Sequence, residues 1–197
     1  MITLFKRQSL RKLASLALAV AGLAMLGYYV FVRVDSWNFQ RRAERELASR
    51  VPAAPAPAPP THSAAPSAGP VGRIAIARLG LSAAITEGAD DTALRRAVGH
   101  IPGTALPGQR GNVGLAGHRD TFFRPLRNVR ADDVIVVSTE EGDFRYRVVS
   151  TKVVDPHAVE VLNPTEVETL TLVTCYPFFY IGAAPNRFIV RAERIRG

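Results

Sequence analysis

Leu170-Thr171-Leu172-Val173-Thr174-Cys175-Tyr176-Pro177 is the stretch on which the reading of this chain turns. Its apolar and β-branched residues predict a strand, and Pro177 closes it because proline has no amide to give a ladder. Side chains alternate across a strand, so Thr171, Val173 and Cys175 share one face and Leu170, Leu172 and Thr174 the other. Cys175 is the single cysteine among 197 residues. That excludes an internal disulfide and any CxxC metal or redox pair. Two readings of the thiol compete. A free cysteine is among the most buried residue types and behaves as a small hydrophobe. A solitary thiol at a strand end, beside a loop and in an exported chain, is instead a candidate nucleophile.

Downstream, Arg187 to Ile195 forms a second strand-like run. The connection from Tyr176 to Asn186 carries Pro177, Gly182 and Pro185 and reads as a loop. If the two runs are antiparallel neighbours, Cys175 lies beside Arg187 at one rim of a sheet. An arginine side chain keeps its proton in proteins, so Arg187 cannot act as a base. It can donate hydrogen bonds to a developing oxyanion or hold a substrate carbonyl. Without that adjacency it is one more surface arginine.

Upstream, Gly111 to Gly117 (GNVGLAG) reads as a strand with close backbone approaches, and His118 follows it. Of the other histidines, His62 lies in a proline-rich stretch and His157 follows Pro156 in a solvated loop. His100, in the turn-like Gly99-His100-Ile101-Pro102-Gly103, competes with His118 as acid–base partner of the thiol, and pattern alone does not separate them. The acidic pairs Asp90-Asp91, Asp132-Asp133 and Glu140-Glu141 read as helix caps or solvated turns, so no metal site and no cofactor is expected.

The N-terminal part has a different character. Leu13 to Val32 is a run of 20 residues without a charge. As a helix it would extend about 30 Å, the thickness of a bilayer's hydrocarbon core. Tyr28, Tyr29 and Trp37 stand near its far end, where amphipathic rings favour the interface. No small-residue cleavage site follows, so a retained signal anchor over 13–32 is expected rather than a cleaved peptide. Lys6, Arg7, Arg11 and Lys12 flank the near side and Arg33, Arg41, Arg42, Arg45 and Arg50 the far side, a nearly even count. Weighting by proximity favours residues 1–12 in the cytoplasm and the C-terminal domain outside, so a single-pass chain in the cell membrane, in contact with lipid, is expected. Residues 33–50 read as a polar helical stem. Residues 51–70 hold seven of the chain's fourteen prolines and read as an extended, semi-rigid spacer.

The net charge of +8 follows this division. Residues 1–50 hold nine Lys/Arg against three Asp/Glu, a net of +6, and residues 71–197 hold sixteen against fourteen, a net of +2. A nucleic-acid partner is not expected, because it calls for a basic face on the folded domain.

Residues 71–197 are numerous enough for one core. Strands are predicted at Arg73–Leu79, Val134–Val137 and Phe144–Val149, the last extending through Thr151–Val154, with a hairpin at Glu140–Asp143. Asp90 or Asp91 caps a short helix with Leu94 and Val98 on one face. Short strands, frequent turns and little helix predict an all-β fold, a closed or partly closed barrel.

Leu172-Val173-Thr174-Cys175, Gly117-His118-Arg119 and Arg187 at the head of the last strand resemble the sortases, membrane-anchored cysteine transpeptidases. The likeness covers residues 71–197. Gly99-His100-Ile101-Pro102-Gly103-Thr104 and Ala116-Gly117-His118-Arg119-Asp120-Thr121-Phe122-Phe123 look most like class D. The resemblance implies an eight-stranded β-barrel with short helices and three catalytic residues. Cys175 attacks the threonine carbonyl of a Leu-Pro-x-Thr sorting signal and forms a thioacyl enzyme. His118 protonates the departing amine, and Arg187 holds the peptide and stabilises the oxyanion. An amine acceptor, from a peptidoglycan precursor or a pilin lysine, then takes the cargo. An apolar groove is implied near Val153 to Leu162.

A papain-like protease also pairs cysteine with histidine, but there the cysteine precedes the histidine and opens a helix. A stalked, non-catalytic binding module with a buried thiol, or a redox sensor, is the alternative of a different class.

Overall fold

The computed structural model describes residues 2–49 and 70–195. It divides into two compact units, Met1–Asn38 and Phe39–Gly197. A single helix, α1 (Ile2–Ser49), runs through the whole N-terminal part, so the expected anchor and stem are one continuous element. Its segment Lys12–Leu47 contains a window of mean hydropathy 2.0, long and apolar enough to cross a membrane. The spacer expected over 51–70 lies, apart from Pro70, outside the described residues.

Within the second unit, side-chain alternation builds the barrel wall. Along β1 (Pro70–Ile76) every second residue is buried, with Ile74 and Ile76 fully so. That is the two-residue period of a sheet with one face on a core. β2 (Leu81–Glu87), β3 (Val98–His100), β4 (Asn112–Ala116), β5 (Val134–Thr139), β6 (Gly142–Val154), β7 (Thr169–Tyr176) and β8 (Asn186–Arg194) follow. Their lateral order is β1-β2-β3-β4-β7-β8-β6-β5, and β5 pairs back onto β1 to close the ring. The pairs β2–β3 and β4–β7 are parallel, and the others antiparallel. Closure leaves no strand edge open to another chain. Ile74, Ile85, Leu115, Ile135, Tyr146 and Leu172 are among the inward side chains with no exposed surface.

Six strands expected from sequence are present, though the first ends at Ile76 because Ala77–Leu79 turns as a 3₁₀ helix into Gly80, and two more join them. β2 and β3 were not foreseen. β2 carries Ser82, Ala83 and Ala84, small residues with no strong strand signature, and β3 is three residues long. The expected hairpin is there, Thr139 opposite Gly142. The short helix α2 (Asp91–Arg96) starts at Asp90, whose carboxylate accepts from the amides of Thr92 and Ala93 at 2.8 and 3.1 Å. It ends sooner than expected. Ala97 is extended, and Val98, expected on the helix face with Leu94, begins β3 instead, opposite Ile85. Parallel pairing with β2 outweighs a helix too short to hold itself.

Asp133 corrects a second expectation. It is not a solvated turn residue: it is 7% exposed and accepts from the Arg78 guanidinium and from the Arg130 amide at 2.8 Å. Arg78 also donates to the Asn128 carbonyl at 2.7 Å. The end of α1 takes part in this unit too. The Gln40 side chain accepts from the Ala84 amide at 2.7 Å and donates to the Arg96 carbonyl at 2.8 Å, while Glu44 pairs with Arg73 at 2.6 Å.

Candidate active site

The strand pairings decide which chemistry-bearing residues meet. In the β7–β8 ladder Cys175 stands directly opposite Arg187, as expected. Leu170, Leu172 and Thr174 point into the barrel and are buried, so Cys175, with Thr171 and Val173, lies on the outer face. Directly opposed residues share a face, so Arg187 lies there as well. The thiol is half-buried. It is a wall residue at the rim, not part of the core.

β4 flanks β7 on its other side, in parallel register from Asn112↔Thr169 to Ala116↔Val173. The pairing runs on past the strand end. The Gly117 amide donates to the Val173 carbonyl at 3.1 Å, and the buried Thr174 hydroxyl donates to the Gly117 carbonyl at 2.7 Å. His118 follows directly, on the segment that leaves β4 beside the Cys175 end of β7. His118, Cys175 and Arg187 therefore occupy adjoining chain segments at one rim. Gly117 is required there: a Cβ would sit 2.7 Å from the Phe123 ring, which packs beneath the turn. The His118 carbonyl accepts from the Phe123 amide at 3.1 Å, so the chain folds straight back after the histidine.

His100 is settled by its surroundings. It is 3% exposed, its Nδ1 lies 2.8 Å from a Glu87 carboxylate oxygen, and its Nε2 is 3.0 Å from the Ala105 carbonyl and 3.1 Å from the Thr104 hydroxyl. Its ring is fully occupied in fastening β2, β3 and the following loop. His118 is half-buried and its ring has no hydrogen-bond partner among the described residues. His157 is on the surface, paired at 2.9 Å with Asp155, as a solvated loop histidine should be.

Charge at the rim is arranged around the β7–β8 loop. The Arg187 guanidinium donates to the carbonyl of Asn186 at 3.1 Å. Asp155, at the end of β6, has its carboxyl held below the usual carboxylate range, first by the amide and ring of His157 and lastly by the charge of Arg187. Arg119 is the residue whose role sequence reading missed. Its guanidinium donates to the carbonyls of Pro177, Tyr180 and Gly182 at 3.0, 2.8 and 3.1 Å. It thus clamps the loop that leaves Cys175, from the position next to His118. The loop after Cys175 packs inward through Phe178, whose ring meets Phe188 at 5.3 Å, while Phe179 and Tyr180 remain exposed.

The region implied as a groove, Val153 to Leu162, includes a 3₁₀ turn at Val159–Leu162. Asn112 holds it to the wall: its buried amide donates to the carbonyls of Val161 and Asn163 at 3.0 and 3.2 Å and accepts from the Thr171 hydroxyl at 2.7 Å. No group of metal-ligating side chains occurs among the described residues.

The family model of the sortase domain matches residues 74–195. Sortase D of Bacillus subtilis (strain 168) is 32% identical over 197 residues, covering 94% of this chain and 100% of that protein. Among solved structures, the Sortase D5 transpeptidase of Clostridium perfringens superposes with a TM-score of 0.60 at 31% identity, over 65% of this chain and 80% of its own. Sortase C-1 of Actinomyces oris gives 0.59 at 32% identity, over 65% and 75%. With the domain matched from the first strand of the barrel to the last, and one relative matched over its whole length, this chain belongs to the sortase family.

Proposed function

We propose that this protein is a cysteine transpeptidase that cleaves a Leu-Pro-x-Thr sorting signal after the threonine and joins the cargo to an amine at the cell envelope. Its helix α1 anchors it with residues 1–12 in the cytoplasm and the barrel outside. The Cys175 thiolate adds to the threonine carbonyl, forming a C–S bond. Arg187 stabilises the resulting oxyanion. The C–N bond to the next residue then breaks, and His118, as imidazolium, gives its proton to the leaving amine. A second amine attacks the thioester, its proton passes to His118, and the thiolate is released. The acceptor is a peptidoglycan precursor or a pilin lysine. The observation that supports this reading is that Cys175 stands opposite Arg187 in the β7–β8 ladder while β4, which pairs with β7 on its other side, ends two residues before His118.

The test is direct. The full chain in detergent micelles is incubated with a Leu-Pro-x-Thr peptide library and its mass is read. An acyl adduct on Cys175 is expected, absent from Cys175→Ala. His118→Ala and Arg187→Ala should each slow its formation by about 100-fold or more. No adduct with any peptide, together with a Cys175 that resists a charged methanethiosulfonate, would instead favour the stalked binding module.

A further inference from the structure

A second feature of the same outer face has the chemistry of an anion site. A cavity of about 160 Å³ is lined by Ser150, Lys152, Val161, Thr171, Ile189 and Arg191. A water takes up about 30 Å³, so there is room for a carboxylate and a few waters. Neither Lys152 nor Arg191 has a carboxylate partner among the described residues. The Thr171 hydroxyl already donates to Asn112, which leaves Lys152, Arg191 and the Ser150 hydroxyl as the free donors facing the cavity.

A bulge assembles this set. β6 and β8 pair in step through Val148↔Ala192, but the next pairs are Ser150↔Arg191 and Lys152↔Ile189. The extra residue, Val149, reverses the alternation of β6 beyond it. Were Val149 paired with Arg191 in an unbroken ladder, Lys152 would fall opposite Phe188, on the inward face. Bulges commonly re-aim side chains in this way beside functional sites.

The cavity also lies on a line with the thiol. In the β7–β8 ladder the outer pairs run Cys175↔Arg187, Val173↔Ile189, Thr171↔Arg191. Four residues at about 3.3 Å each put Arg191 about 13 Å from the rim. Between the two stands the apolar pair Val173 and Ile189, and Val161 lines the cavity itself. An extended peptide has nearly the same rise per residue. With its threonine carbonyl at Cys175, its proline and leucine cross the apolar stretch, and the residue before the leucine arrives at Lys152 and Arg191.

We infer that Ser150, Lys152 and Arg191 form a carboxylate-binding subsite that selects sorting signals with an acidic residue immediately before the leucine. The inference rests on the proposed Leu-Pro-x-Thr reading, and its test separates the two. Three peptides differing only at that residue (Glu, Gln or Lys) are compared on the full chain in detergent micelles. Acyl-enzyme formation gives kcat/KM. Fluorescence anisotropy with the Cys175→Ala protein gives Kd whether or not any peptide reacts. The Glu peptide should be preferred to the Gln peptide by about fivefold in both readouts, the scale of one partly exposed charge pair, with the Lys peptide poorest. Arg191→Gln should bring the Glu/Gln ratio to about one. Lys152→Gln, at an exposed position where folding is not at stake, should roughly halve it. Salt at 0.5 M should compress the preference. Equal Kd for Glu and Gln peptides overturns the inference and leaves the transpeptidase reading standing. A Glu preference in Kd without any acyl adduct leaves the subsite and removes the transpeptidase reading. A carboxylate preference seen only in the amine acceptor, comparing diglycine with its amide, also overturns the assignment to the cargo.

Discussion

Arg119 shows how much one side chain beside a reactive pair can decide. Its three donated hydrogen bonds all end on carbonyls of the β7–β8 loop, the connection that leaves Cys175. A planar guanidinium can reach three acceptors at once, whereas an ammonium is a compact point charge. Arg119→Ala is therefore expected to lower kcat/KM about tenfold while the barrel stays folded, since charge-assisted bonds to a loop are each worth about a kcal/mol or more. Arg119→Lys should recover little of it. Full activity in both variants, measured with whichever peptide serves best, would mean that the loop holds itself. The sequence placed Arg119 in the right motif but could not assign its role. Its acceptors lie 58 to 63 residues away, and they are backbone atoms, which carry no residue identity.

Among elements, the connection from β6 to β7 depends on a residue outside it. Asn112 on β4 satisfies two carbonyls of that connection and takes the hydroxyl of Thr171. Asn112→Ala would leave buried polar groups without partners, at about 2–3 kcal/mol. We expect a lower Tm and, by hydrogen exchange, faster opening of residues 159–163 than of β4 itself. Exchange that rises evenly over the barrel would show a global effect instead. Strand alternation made six of the eight strands readable, because it reflects local backbone geometry. β2 and β3 escaped because small residues and a three-residue length leave no pattern. What holds them is pairing with neighbouring strands on both sides, β2 with β1 and β3, and β3 with β2 and β4.

For the whole molecule, the barrel's stability should depend on acid in a defined direction. The Arg78 guanidinium, hydrogen-bonded to Asp133, holds that carboxyl below the ordinary carboxylate range. Asp90 is held low by the amides of Ala93 and Thr92, and Asp155 by His157. A carboxyl with a depressed folded-state pKa contributes stability that is complete above its unfolded value, about 3.9, and is lost as pH falls through the folded value. Melting curves should therefore be level from pH 7 to about 5 and fall below about 4. Asp133→Asn should melt lower at pH 7 yet lose less on acidification; curves that run parallel to the wild type would exclude Asp133 as a source of the acid sensitivity. By itself the sequence determined the apolar N-terminal helix, the all-β character of the domain and the lone thiol at a strand end. Each follows from a property of consecutive residues: side-chain hydropathy, two-residue alternation, or a count. Tertiary structure alone decided that His100 is a buried, fully bonded ring, whereas the motif resemblance already pointed to His118. It also set Lys152 beside Arg191 by leaving Val149 of β6 out of the ladder. Those outcomes depend on register between strands far apart in the chain, and register is fixed by how the barrel closes.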